Sequence, residues 1–113
     1  MKDDRQRLED SLDAIERIER YAARGRTAFE NDELLQTWII HHIQIIGEAS
    51  RKLSDSFRQT HPEIPWSQIA AMQNVLVHDY FRVDTEEVWM VVERDLPTFK
   101  RKIEAILRTL RST

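Results

Sequence analysis

The stretch DELLQTWIIHHIQIIGEASRKLSDSF, residues 32–57, decides the fold. Leu34, Leu35, Trp38, Ile39, Ile40, Ile43, Ile45, Ile46, Ala49, Leu53 and Phe57 recur at helical spacing and spread around much of the circumference. The pattern predicts one long helix over 32–57. Asn31 or Asp32 is its expected N-cap, since a short polar side chain there accepts from the free amides of the first turn. A helix that is apolar on more than one side has to be buried on more than one side. In a chain of 113 residues, part of that surface is expected to meet another subunit. Gly47 sits inside this helix at a cost of about 1 kcal/mol relative to alanine. It predicts close approach of a neighbouring backbone, or room for a ligand.

The flanking segments follow the same logic. Leu8, Leu12, Ile15, Ile18 and Tyr21 or Ala22 form an amphipathic stripe that predicts a helix over 3–23, with Gly25 marking its end. His61-Pro62-Glu63-Ile64-Pro65-Trp66 is the longest irregular segment; its prolines force extended geometry at His61 and Ile64. Trp66 is expected to cover one end of the core. A third helix is expected over 66–79, with Ile69, Met72 and Leu76 on its apolar side. Asp84 or Thr85 is the expected cap of the next helix, which carries Val88, Trp89, Val91 and Val92. Pro97 predicts a kink or break near Asp95 and Leu96, before a last helix over 98–110. With only two glycines, three prolines and a third of the residues charged, the chain reads as one all-α domain over 1–113, a bundle of four to five helices.

Net charge is −3 with histidine neutral, which excludes a generally basic nucleic-acid coat. Arginine outnumbers lysine thirteen to four, and arginine favours bidentate phosphate contacts. Any RNA contact must therefore be a local patch. The cluster Arg17, Arg20, Arg24, Arg26 is a candidate, although such clusters are usually solvated faces; Lys100-Arg101-Lys102 reads as plain solvent-facing charge. The absence of cysteine excludes disulfides and thiolate metal sites. His41 and His42 diverge by about 100° on a helix, whereas a helical metal site wants i,i+4 spacing. They read as core-edge or interface residues, and no metal or other cofactor is expected. No apolar run approaches a membrane span or the core of a signal peptide, which points to the cytoplasm.

Chemistry concentrates in Met72-Gln73-Asn74-Val75-Leu76-Val77-His78-Asp79-Tyr80-Phe81. Asn74 and His78 are four apart and share a helix face, with Gln73 on its flank. Tyr80 approaches the imidazole only if the helix ends near Asp79 and the chain turns. An imidazole with an unperturbed pKa near 6.5 can transfer protons around neutral pH, while an amide can hold a phosphate oxygen. The plainer alternative is a satisfied histidine, with Tyr80 and Phe81 closing the core.

Asn74-Val75-Leu76-Val77-His78-Asp79-Tyr80 resembles the motif of the HepT branch of the HEPN superfamily. So do the 62–66 segment upstream, Asp95-Leu96-Pro97 downstream and Ile46-Gly47-Glu48-Ala49 on the preceding helix. The resemblance runs from about residue 32 to 106. It implies a dimeric four- or five-helix bundle acting as a metal-independent ribonuclease toxin. The implied partner is an MntA-like minimal nucleotidyltransferase, an antitoxin that adds AMP to the motif tyrosine, here Tyr80. Catalytic roles then fall on His78 and Asn74, and the family's arginine falls on Gln73. Arg82 is a substitute cation. Glu48 either pairs with Arg51 or Lys52, or orients His78 from behind. The alternative the departure at Gln73 leaves open is an inactive HEPN module that binds a nucleotidyltransferase.

Overall fold

The computed structural model describes residues 3–70 and 84–111. Among them there is no strand, and the architecture is an all-α bundle. Helix α1, Asp4–Ala22, begins with a capping box: Asp3 accepts from the Gln6 amide at 2.9 Å, and the Gln6 side chain accepts from the Asp3 amide at 3.1 Å. Its inward stripe is Leu8, Ser11, Ala14, Ile15 and Ile18. Gly25 takes φ 95°, the left-handed conformation that glycine adopts freely, and turns the chain. The link expected after Gly25 is itself a short helix, α2 (Arg26–Glu30), which places Phe29 fully inside the core.

Helix α3 spans Glu33–Arg51, with Asp32 as its cap accepting from the amides of Leu34 and Leu35. Leu35, Ile39, Ile43, Ile46 and Ala49 are its buried apolar face. The single helix expected over 32–57 is divided, and Ser54 is the reason. Its backbone is extended, and its hydroxyl accepts from the Phe57 amide at 3.2 Å, starting a new helix α4, Asp55–Thr60. The Ser54 amide and hydroxyl both donate to the Asp4 carboxylate, at 2.8 and 2.6 Å. A serine that satisfies its backbone this way competes with continuation of the helix. Leu34, counted among the apolar positions, stands 82% exposed.

Trp66 is buried, with its indole N–H donating to the His61 carbonyl at 3.0 Å and its ring against Phe57 and Phe99. The chain is helical over 66–70, with Ile69 buried; Met72, Leu76 and the remainder of the expected third helix lie outside the described residues. Helix α5, Thr85–Met90, is capped by Asp84, which accepts from the Glu87 amide at 3.1 Å. Of the kink or break expected near Asp95 and Leu96, a break does not occur: a wide helical turn, Val91–Asp95, leads directly into α6, Leu96–Arg111. The Leu96 amide donates to Val91, five residues back. The extra residue in that turn accommodates a proline that lacks an N–H for the regular ladder.

Helices α1 and α3 run antiparallel as the principal packed pair, since Asp4 meets Ser54 at one end while the Trp38 indole donates to the Arg17 carbonyl at 3.2 Å towards the other. Helix α6 lies against α1, helped by Lys100 donating to Glu19 at 2.7 Å, and α2 packs on α3 and α5. Lys102 donates to the Glu63 carbonyl at 2.8 Å. The 100–102 cluster is thus not plain solvated charge: both its lysines tie elements together. No helix among the described residues is long and apolar enough to cross a membrane.

Replacing Ser54 with alanine removes the α4 cap and both donors to Asp4, and should cost about 1–2 kcal/mol. Urea unfolding should show a lower midpoint with an unchanged slope. Adding Asp4→Ala to that variant should cost less than Asp4→Ala alone, because the two changes remove one shared contact.

Candidate functional site

Gln73, Asn74, His78, Tyr80 and Arg82 lie outside the described residues. Glu48 lies within them, on the outward side of α3 next to buried Gly47. It accepts from Lys52 Nζ at 2.8 Å, one turn along the same helix. Of the two cations offered by the sequence, Lys52 is the one that holds it. That hydrogen bond, followed by the lysine's charge and more weakly by Arg7 and Arg51, keeps the Glu48 carboxyl below its ordinary range. Glu48 is therefore an ionised acceptor at neutral pH and not a proton donor.

Glu48 and Lys52 stand on one wall of a groove of about 440 Å³ between α1 and α3. Arg7, Asp10, Asp13 and Arg17 form the opposite wall, and His41, His42 and Ile45 the rest of the α3 side. His42 is buried and its Nδ1 lies 2.7 Å from the Trp38 carbonyl. A carbonyl only accepts, so Nδ1 carries the hydrogen of this contact. The ring rests against Trp38 at 4.4 Å, and Trp38 in turn meets the edge of Tyr21 at 5.0 Å. His41 is exposed and stands perpendicular to His42 at 5.2 Å. One histidine is thus a core residue and its neighbour a surface one, as their divergence on the helix requires. Among the described residues no group of three or more histidine, aspartate or glutamate side chains is placed to hold a metal.

Most cations near the groove are committed. Arg17 pairs with Asp13 at 3.0 Å and Lys52 with Glu48. In the arginine cluster of the first helix and its turn, Arg26 pairs with Glu30 at 2.8 Å and Arg24 lies over the Tyr21 ring at 5.5 Å. That cluster is largely a surface of local pairs. Arg7 differs: its Nε is buried and has no hydrogen-bond acceptor among the described residues. The α1 wall was missing from the sequence reading. Arg7, Asp10, Asp13 and Arg17 recur at three and four beside the apolar stripe, which marks one face of the helix. Nothing in that spacing says which face another helix will border.

The chain matches the family described as ribonuclease HepT-like over residues 11–106. It is 40% identical over 102 residues to a protein of Thermococcus cleftensis named "Probable ribonuclease HepT", covering 88% of this chain and 91% of that one. It is 33% identical over 109 residues to a "Putative RNase" of Caldanaerobacter subterraneus, covering 96% and 97%. A third similar protein, a "Putative RNase" of Methanocaldococcus jannaschii, is 35% identical over 78 residues, covering 69% and 72%. No solved structure matches the chain at a significant level.

The Glu48–Lys52 pair is an exposed i,i+4 contact and should contribute no more than about 0.5 kcal/mol. Because folding lowers the Glu48 pKa, the contribution is present above the ordinary carboxyl range and is lost as pH falls through the lowered value. Thermal melts of Glu48→Gln should therefore differ slightly from the parent at pH 7 and coincide with it near pH 3 or at molar salt. A loss of RNA cleavage in that variant would then report a role in the site, since stability barely changes.

Proposed function

The chain belongs to the ribonuclease HepT-like family, and on that premise we propose that it descends from a metal-independent endoribonuclease working through His78. The observation that carries this reading is the set Asn74, His78 and Tyr80 at the motif spacing in a chain that matches the family over most of its length. In the proposed reaction the RNA 2′-oxygen attacks the adjacent phosphorus while an imidazole removes its proton. The bond to the 5′-oxygen breaks, and that oxygen takes a proton from a second acid. The products are a 2′,3′-cyclic phosphate and a free 5′-hydroxyl. Asn74 holds a phosphate oxygen so that attack is in line.

Base and acid require two proton-transfer groups, and the motif offers one imidazole per chain. We assign the second to His78 of another copy, in a cleft of a homodimer. Sedimentation at micromolar concentration should show that dimer; a monomer there removes the two-histidine mechanism.

Tyr80 is the proposed point of control. AMP on its phenol brings bulk and negative charge beside His78 and repels RNA. The donor enzyme is a cognate MntA-like nucleotidyltransferase acting as antitoxin, and the pair would work in the cytoplasm. Incubation with that enzyme and ATP should add the mass of one AMP to the peptide containing Tyr80 and none in Tyr80→Phe.

Gln73 favours a second reading. Glutamine keeps hydrogen-bond donors but not the positive charge that stabilises the phosphate in the transition state. Losing one such group typically costs a hundredfold or more, which leaves an inactive HEPN module that binds the nucleotidyltransferase. Purified protein with tRNA in EDTA separates the two. Gln73→Arg should cleave about a hundredfold faster than the parent chain, and the added change His78→Ala should silence it. Equal cleavage by the parent would show that another cation, Arg82 foremost, supplies the charge. No cleavage by any form that is folded and dimeric would favour the binding module over the nuclease.

A further inference from the structure

We infer that the groove between α1 and α3 is a nucleotide subsite that takes one phosphate and its base from an RNA strand. At about 440 Å³ it is within the usual range for small-molecule sites. Arg7 to Arg17 spans roughly 15 Å of helix at 1.5 Å per residue, more than a lone phosphate fills.

The Arg7 guanidinium decides the anionic end. It is always charged, and its Nε is buried without an acceptor among the described residues. Arg7 lines the groove with no carboxylate among the described residues hydrogen-bonded to it, and an anionic oxygen is the strongest acceptor a guanidinium can take. Lys52 is tied to Glu48 and Arg17 to Asp13, so these cations frame the groove without competing for its occupant.

The other end suits a base. His41 presents an exposed imidazole, propped at right angles by buried His42, which Trp38 holds in turn. A flat ring braced in this way offers a face for stacking. The carboxylates of Asp10 and Asp13 line the same groove. Their charge disfavours a bare polyanion, and Asp13 is already paired with Arg17.

The RNA strand as source rests on the ribonuclease reading; nucleotide binding itself does not. The test is a nitrogen-15 NMR titration of the whole chain with AMP, inorganic phosphate and a 2′-O-methyl RNA oligonucleotide that cannot be cleaved. AMP and the oligonucleotide should shift amides of α1 around Arg7 and of α3 around His41, with phosphate the weakest ligand. Arg7→Gln should weaken both tenfold or more and His41→Ala fivefold or more, while Lys102→Gln, outside the groove, should leave both unchanged. Unaltered affinity in folded Arg7→Gln and His41→Ala, or shifts confined to other surfaces, overturns the subsite. Binding of AMP without the oligonucleotide overturns the assignment to an RNA strand. Groove binding with no RNA cleavage by Gln73→Arg sinks the nuclease reading alone, whereas cleavage by Gln73→Arg with KM untouched by Arg7→Gln sinks the subsite alone.

Discussion

The antiparallel seam between α1 and α3 is the constraint on which the rest of the molecule depends. It is fixed at one end by the Asp4 carboxylate, which takes two hydrogen bonds from Ser54, and further along by the Trp38 indole on the Arg17 carbonyl. Between these anchors Leu8, Ile15 and Ile18 meet Ile39, Ile43 and Ile46 in one dry core. Side chains of this size each contribute about 1.5–3 kcal/mol on burial, so the apolar seam outweighs the surface ion pairs, which are worth at most about 1 kcal/mol each. The polar anchors set register more than strength. Once register is set, Arg7, Asp10 and Asp13 must face His41 and Glu48, and the groove follows from the packing of the core behind it.

The same seam explains why α3 ends where it does. Hydrophobic periodicity alone would carry the helix through Leu53 to Phe57. Asp4 intervenes because capping Ser54 satisfies three polar groups at once: the amide and hydroxyl of Ser54 and, through that hydroxyl, the amide of Phe57. The partner lies 50 residues away, so no reading of the local stretch contains it. Pro97 makes the complementary point. Its missing N–H was visible in the sequence and predicted a kink or break; a wider turn of helix absorbs the defect without a break.

Legibility followed the range of the interactions. Caps at Asp32 and Asp84, the turn at Gly25 and the stripe of α1 depend on neighbours within a few residues, and all were readable; the burial of Trp66 was readable from its size, though its ring meets the distant Phe99. The divergence of His41 and His42 was readable too, because it is a property of helix geometry. The site divides differently. Asn74, His78 and Tyr80, the residues proposed to carry the chemistry, are recognisable by type and spacing, and they lie outside the described residues. The groove between α1 and α3 was not readable, since it arises only when two distant faces are laid side by side. Helix α2 escaped for a further reason: five residues are too few for periodicity to register, and it forms because Phe29 has a place beside Trp89.

Charge ties the fold to the proposed chemistry. The chain is net negative, yet the proposed reaction brings RNA to it, so attraction depends on cations that are not already neutralised. Arg5, Arg17, Arg26, Arg58, Lys52 and Lys100 each hold a carboxylate, and a paired cation projects little field beyond its partner. Lys52 is instructive in this respect. It sits one turn from Glu48 in the segment that carries the family resemblance, and the carboxylate beside it neutralises its charge. A positive group for the phosphate must therefore come from outside these pairs. Arg7, which lines the groove and whose buried Nε has no hydrogen-bond acceptor among the described residues, is a described cation outside them. If RNA lies along α1 and α3, it is drawn there by the half-buried Arg7 guanidinium and not by a basic surface.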